Sequence, residues 1–250
     1  MSRFKSRLLE AVKATGDKPS DSAPAPTKKN WNQKLSDNLA LAIAAELRDL
    51  GMSTALPGEP GQVGLSGAER RLSGGIGAKK VDVSWATEES GLIFAISVKT
   101  IMFRDNSTGN YQKNLTNRRG DMLIESVTLH RRFPYAVLAA FLFLDAGAEF
   151  DDINPDGTAR KRKSTFKNTF PRLRLFTGRN DPAGREEQFE KFYVLLLDSN
   201  RFAPSIRAFE VNDGEREVDL DDALAEMIAL VGERNFDLYD GTEGRISRLT

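Results

Sequence analysis

The chain has 250 residues, of which 40% are hydrophobic, a size that suits one large domain or one domain with a short appendage. Its 36 Lys and Arg residues balance 36 Asp and Glu residues, so there is no overall basic field and any nucleic-acid partner must meet a local patch. The absence of Cys and the presence of one histidine, His130, exclude disulfides, thiolate metal sites and multi-His zinc sites.

Residues 1–30 are predicted to form a flexible tail that precedes a single domain over 31–250. Within the tail, residues 2–15 carry apolar side chains at helical spacing, which predicts a short amphipathic helix, although a frayed basic tail fits equally well. These apolar side chains are Phe4, Leu8, Leu9 and Val12. Residues 16–29 are rich in Pro, Ser and Ala and are predicted to be a flexible linker.

The N-terminus does not have the pattern of a secretory signal, because charged residues interrupt every apolar stretch. No apolar run reaches the length of a membrane span. Together with the absence of cysteine, these features predict a cytoplasmic chain that does not meet a membrane.

The rest of the chain alternates between helical and strand-like patterns. In order, the patterns predict a helix over 31–50, a Gly-rich loop over 53–78, strands over 80–86 and 92–100, a helix over 117–131, a strand over 135–144, a polar loop over 151–169, a buried strand over 190–198, an edge strand over 206–211 and a helix over 219–234. Strands interleaved with helices indicate an α/β fold in which helices flank a mixed β-sheet.

The two strands over 80–100 form a predicted hairpin. On the first strand, alternation places Val81, Val83 and Trp85 on one side and Asp82 and Ser84 on the other. On the second strand, it places Phe94, Ile96 and Val98 on one side and Ser97 and Lys99 on the other. If the apolar faces coincide, Asp82 lies beside Ser97 and Lys99. A solvated polar face of the hairpin would produce the same alternation.

An Asp and a Lys on neighbouring strands supply part of what phosphodiester hydrolysis needs. Asp82 would hold a divalent metal, and Lys99 would orient the attacking water or contact the phosphate. The backbone carbonyl of Val98 could be a further metal ligand. Because the composition leaves mainly oxygen ligands, the metal is expected to be Mg²⁺, with Mn²⁺ as a substitute.

The pattern Asp82 … Ser97-Val98-Lys99 resembles that of the PD-(D/E)xK nucleases, with Ser97 in the place of the second acid and Val81 in the place of the Pro. A subgroup of type II restriction endonucleases has the same Ser-x-Lys variant and takes the missing acid from the following helix. The resemblance therefore implies a restriction-endonuclease-like core and a catalytic set of Asp82, Lys99 and Glu125. It also implies that an acid from an earlier helix joins the metal site, with Glu69 and then Glu46 as candidates.

Two segments are candidates for DNA contact. The strongest basic cluster is Arg160, Lys161, Arg162, Lys163 and Lys167, which could track a DNA backbone together with Arg172, Arg174 and Arg179. The alternative for such a run is a solvated loop. On the helix that carries Glu125, Asn117, Arg118 and Arg119 could reach base edges. His130, at the end of that helix, is expected to cap it, with a phosphate contact as the alternative.

These expectations combine into a Mg²⁺-dependent DNA endonuclease. It would be a type II restriction enzyme that cuts double-stranded DNA as a homodimer, since two strands need two active sites. A close variant is an antiphage defence nuclease whose partner protein supplies the specificity. The alternative from another class is a non-catalytic DNA-binding or assembly protein with a degenerate nuclease fold, and an RNA-directed nuclease is also left open.

Overall fold

The computed structural model describes residues 2–58, 70–73, 78–154 and 156–249. The helices are α1 (Arg3–Thr15), α2 (Ala25–Asp49), α3 (Gln112–His130), α4 (Thr165–Leu173) and α5 (Leu220–Arg234). The strands are β1 (Arg70–Ser73), β2 (Ala78–Val81), β3 (Val83–Thr87), β4 (Gly91–Ile101), β5 (Val137–Asp145), β6 (Lys191–Asp198), β7 (Ser205–Glu210), β8 (Asp213–Val218), β9 (Tyr239–Asp240) and β10 (Ser247–Arg248).

A six-stranded sheet in the order β3-β4-β5-β6-β7-β8 forms the centre of the fold. Strands β4, β5 and β6 run parallel to one another, whereas the pairings of β3 with β4, β6 with β7 and β7 with β8 are antiparallel. The sheet is therefore mixed, and helices cover both of its faces, which confirms the predicted α/β class. Among the described residues, no helix combines the length and apolarity needed to cross a bilayer.

The two faces of the sheet carry separate apolar clusters. Strand β5 shows why, because it is buried on both sides and alternate residues belong to different clusters. Phe141 and Phe143 pack in the cluster that includes α1, α2 and α5, which we call the α2 face. Leu142 and Leu144 pack in the cluster that includes α3 and α4, which we call the α3 face.

The N-terminal segment is docked on the α2 face. The apolar side chains of α1, among them Phe4 and Leu8, are fully buried, so the amphipathic helix predicted over 2–15 is confirmed. Helix α2 begins at Ala25, inside the stretch predicted to be a linker. The tail over 1–30 therefore contains one docked helix and the first turn of another.

Three other expectations are wrong. Strand β1 lies within the predicted loop over 53–78 and pairs with β2 in a small antiparallel hairpin. Helix α4 starts within the loop predicted over 151–169. The helix was missed because basic residues separate its buried Phe166, Phe170 and Leu173 and hide their helical spacing. Strand β7 was expected at the sheet edge, but β8 pairs along its outer side.

Candidate active site

The strand that carries Asp82 is interrupted at that residue. Strand β2 ends at Val81 and β3 begins at Val83, so Asp82 sits at a bend between two short strands. Val81 packs on the α3 face, whereas Val83 and Trp85 pack on the α2 face. The expectation that all three share one side is therefore wrong, because alternation holds only along a continuous strand.

The bend places the Asp82 carboxylate against β4. Its Oδ2 accepts hydrogen bonds from the backbone N–H of Val98 and from the Nζ of Lys99, both at 2.7 Å. The register supports this position, because Val83, the residue after Asp82, lies opposite Ile96, two residues before Val98. Asp82 is thus oriented by both a main-chain and a side-chain donor of the neighbouring strand.

Helix α3 brings the second carboxylate to the same lysine. The Nζ of Lys99 lies 3.2 Å from Oε2 of Glu125, so one ammonium bridges two acids that come from the bend and from the helix. The side chains of Asp82, Lys99 and Glu125 are 21%, 14% and 3% exposed. The cluster is therefore open to solvent at Asp82 and closed beneath Glu125. We call these three residues the Lys99 cluster.

The charges around Lys99 keep it protonated. Burial by itself lowers the pKa of this amine, but the charges of Glu125 and Asp82 and their hydrogen bonds outweigh burial and raise the pKa above its usual value. Lys99 is therefore an ammonium at neutral pH, which suits a hydrogen-bond donor to a phosphate or a water and not a general base.

The Lys99 cluster fits a Mg²⁺ ion. Two carboxylates and one ammonium leave a net charge of −1, and Mg²⁺ is usually held by one or two carboxylates together with waters and substrate phosphates. The N–H and C=O of a strand residue point to the same edge of the strand, so the carbonyl of Val98 belongs to the edge of β4 at which its N–H meets Asp82. In the described part of the chain, no three His, Asp or Glu side chains gather into one metal site.

The other residues considered for this site lie elsewhere or have other partners. Glu69 lies outside the described residues. Glu46 is buried on α2, on the opposite face of the sheet, where it pairs with Arg3 and Arg7 of α1. Ser97, in the place of the second acid, is buried, and its Oγ has no hydrogen-bond partner in the described structure.

The predicted base-reading residues lie on the N-terminal half of α3. Asn117 is exposed, and Arg118 forms an ion pair with Asp121 at 3.2 Å. The guanidinium of Arg119 lies over the ring of Phe176 at 5.3 Å from its centroid. Helix α3 therefore carries both these side chains and Glu125 of the Lys99 cluster.

The five residues of the strongest basic cluster, together with Arg174 but not Arg172, line one cavity of ≈ 810 Å³ on the α3 face, which we call the basic groove. Its cationic lining is Arg160, Lys161, Arg162, Lys163, Lys167, Arg174 and Arg207, and its acidic lining is Glu149 and Asp152. Seven basic and two acidic side chains give the lining of the groove a formal net charge of +5, whereas the net charge of the whole chain is zero. Arg207 was missed because it lies alone on β7, far from the basic run.

Arg179 and His130 belong to a different site. Oε1 of Glu190 accepts from Arg179 at 2.8 Å and from Arg234 at 2.5 Å, and its Oε2 accepts from the backbone N–H of Leu138 at 2.7 Å. The Nε2 of His130 lies 3.3 Å from the same carboxylate. This Glu190 cluster is buried, so Arg179 does not track a DNA backbone and His130 does not cap α3. No sequence pattern links its members, which are far apart in the chain.

Comparisons of the chain with protein-family models, with curated proteins and with solved structures found no match. Any statement about its activity therefore depends on the geometry of the Lys99 cluster and of the basic groove.

Proposed function

We propose that the chain is a Mg²⁺-dependent endonuclease that hydrolyses phosphodiester bonds in DNA and that its core is restriction-endonuclease-like. The observation that carries this proposal is the bridging of Asp82 and Glu125 by the ammonium of Lys99. The three residues come from the bend before β3, from β4 and from α3. The order of these elements agrees with the resemblance, in which a hairpin carries the Asp and the Lys and the following helix carries the displaced acid.

The carboxylates and the ammonium of the Lys99 cluster have different tasks. Asp82 and Glu125 would hold the ion together with the carbonyl of Val98, and Mg²⁺, when bound, supplies charge stabilisation and a more acidic water. Lys99 donates a hydrogen bond to the attacking water or to a phosphate oxygen and stabilises the negative charge that develops there. The hydrogen bond from the Val98 N–H fixes Asp82, so this carboxylate needs little reorganisation when substrate arrives.

The remaining parts of the proposal concern the substrate and the assembly. Double-stranded DNA would contact α3 through Asn117, Arg118 and Arg119, and phosphates would meet the basic groove. A homodimer would bring two Lys99 clusters to the two strands, as expected for a type II restriction enzyme. In an antiphage defence nuclease, a partner protein would direct the same chemistry.

A digestion assay with matched variants tests this proposal. We would incubate mixed plasmid and phage DNA with the protein in Mg²⁺, in Mn²⁺ and in EDTA, and compare Glu125→Gln with Asp121→Asn on the same helix. Asp121 is 51% exposed and pairs only locally with Arg118, so its variant controls for a lost acid on α3. We expect cleavage that vanishes in EDTA and in Glu125→Gln but persists in Asp121→Asn.

Ser97 stands in the place of the second acid, and this favours a second candidate, a non-catalytic DNA-binding protein with a degenerate nuclease fold. In that case the wild-type protein would shift DNA in a gel but would not cut it with either metal. Fragments of discrete size would instead indicate a restriction enzyme, and general nicking would indicate a defence nuclease without its own sequence specificity.

A further inference from the structure

The basic groove is separate from the Lys99 cluster. Both lie on the α3 face of the sheet, but the cluster is at β4 and the groove is at β7 and β8. Strands β4 and β7 are three positions apart in the sheet, which corresponds to roughly 14 Å. The groove therefore contacts a different part of a substrate, or a different molecule.

The walls of the groove are held in place by polar contacts. Asp151, which is 1% exposed, accepts hydrogen bonds from the N–H and the hydroxyl of Thr165 at 2.7 and 2.6 Å. The same residue accepts a hydrogen bond from Arg162 through its backbone carbonyl. On the facing wall, Arg207 forms an ion pair with Glu149. The loop that carries the basic run is thus anchored to the start of α4.

Three lysines are left to attract a ligand. Lys161, Lys163 and Lys167 are exposed, and none of them forms an ion pair with another side chain in the described part of the chain. Three ammonium groups around one cavity repel one another unless anions lie between them. Phosphate oxygens satisfy this requirement with both charge and hydrogen-bond acceptors.

Aromatic side chains form the floor of the groove. The rings of Phe166 and Phe209 pack edge to face at 5.1 Å, and Phe170 contacts both of them. The guanidinium of Arg207 lies over the Phe209 ring, 5.7 Å from its centroid, and both residues line the cavity. A duplex backbone presents sugars and phosphates, whereas a free base presents a planar apolar face that suits such a floor.

We propose that the basic groove binds a nucleotide unit, with its phosphates on the lysines and its base against Arg207 and the phenylalanine floor. The volume of ≈ 810 Å³ lies within the range of pockets that hold small ligands. The nucleotide is either a free one or an unpaired end of a nucleic-acid strand, since both offer the same phosphates and base. The site goes beyond the proposed cleavage function and does not require it.

Binding measurements in EDTA test the proposal without any cleavage. Fluorescence polarisation would be recorded with labelled ATP, with a short single-stranded oligonucleotide and with a blunt duplex, and tripolyphosphate would serve as competitor. We expect the variant with Lys161→Ala, Lys163→Ala and Lys167→Ala to bind the preferred probe on the order of tenfold more weakly or worse. A control with Lys13→Ala, Lys29→Ala and Lys34→Ala removes three exposed lysines from α1 and α2 and should bind normally.

The pattern of probes identifies the source of the nucleotide. Binding of ATP supports a free nucleotide, and binding of only the single strand supports an unpaired nucleic-acid end. The proposal is overturned if neither probe binds, if the variant of the three groove lysines weakens binding of the duplex as much as binding of the preferred probe, if tripolyphosphate competes as well as ATP, or if both lysine variants behave alike. If the protein cleaves DNA but binds neither nucleotide probe, only the proposal of a groove site is overturned. If it binds a nucleotide probe but does not cleave DNA, only the nuclease proposal is overturned.

Discussion

Two ionic clusters of this protein, the Glu190 cluster and the Lys99 cluster, are built from similar groups but differ in net charge and in access to solvent. In the Glu190 cluster, one carboxylate receives two arginines, a histidine and a backbone N–H, and every side chain is at most 4% exposed. In the Lys99 cluster, two carboxylates share one ammonium, and Asp82 reaches solvent. The first cluster has excess positive charge and no access, whereas the second has excess negative charge and an opening.

This difference separates a structural role from a chemical one. Buried ion pairs that are fully hydrogen-bonded hold elements together, and Glu190 joins β6 to α5, to the end of α3 and to the start of β5. An open cluster with an excess of carboxylate attracts a cation instead. Variants of each cluster test whether the Glu190 cluster supplies stability and the Lys99 cluster supplies chemistry.

The largest effect on stability is expected from Glu190→Gln. The substitution leaves Arg179 and Arg234 buried without a counter-charge, and breaking such a pair costs about 3–5 kcal/mol of the free energy of unfolding. Urea denaturation would measure this loss. Glu186→Gln, which removes an exposed partner of Arg131, should cost about 1 kcal/mol or less. Equal losses in the two variants would contradict a structural role for the Glu190 cluster.

A smaller effect is expected when Mg²⁺ is added to the folded protein. If the ion binds the Lys99 cluster, the free energy of unfolding should rise by about 1.4 kcal/mol at a free concentration ten times the dissociation constant. Denaturation curves with and without Mg²⁺ would show the rise for the wild type and for Glu186→Gln. The same rise in Asp82→Asn would place the bound ion elsewhere.

The two clusters should also differ in how stability depends on pH. Burial alone raises the pKa of Glu190, but His130 and Arg234 outweigh burial and bring the pKa below its ordinary value of 4.5. The stabilisation by Glu190 is therefore complete above pH 4.5 and is lost as the pH falls through its lower folded value. The pKa of Lys99 is raised, so its stabilisation is complete below pH 10.5 and is lost only at higher pH.

Unfolding curves across pH would separate these contributions. Between neutral pH and acid, the wild type should lose stability faster than Glu190→Gln, because only the wild type must protonate a depressed carboxylate. Above pH 10.5, the wild type should lose stability faster than Lys99→Met, because only the wild type has an amine with a raised pKa to deprotonate. A Glu190→Gln profile parallel to that of the wild type in acid would contradict the depressed pKa.

Part of this arrangement could be predicted from the sequence. The alternation of the hairpin was enough to suggest that Asp82 lies beside Lys99, because strand pairing is a local regularity. Glu125 was added only because the resemblance to the Ser-x-Lys restriction endonucleases implies an acid on the following helix. The bend at Asp82 was not predictable, since the apolar residues on either side fit one continuous strand equally well. The Glu190 cluster and Arg207 were missed because tertiary contacts assemble them from distant segments.

The most direct test of the central claim compares two lysines that each bridge two carboxylates. Lys191 on β6 bridges Glu210 and Glu226 at 3.2 and 2.8 Å, much as Lys99 bridges its two acids, but it lies outside the proposed active site. The rate of Mg²⁺-dependent DNA cleavage should fall about 10²–10³-fold in Lys99→Ala and remain near the wild-type rate in Lys191→Ala. Wild-type cleavage by Lys99→Ala, or an equal loss in both variants, would contradict the assignment of the Lys99 cluster as the catalytic site.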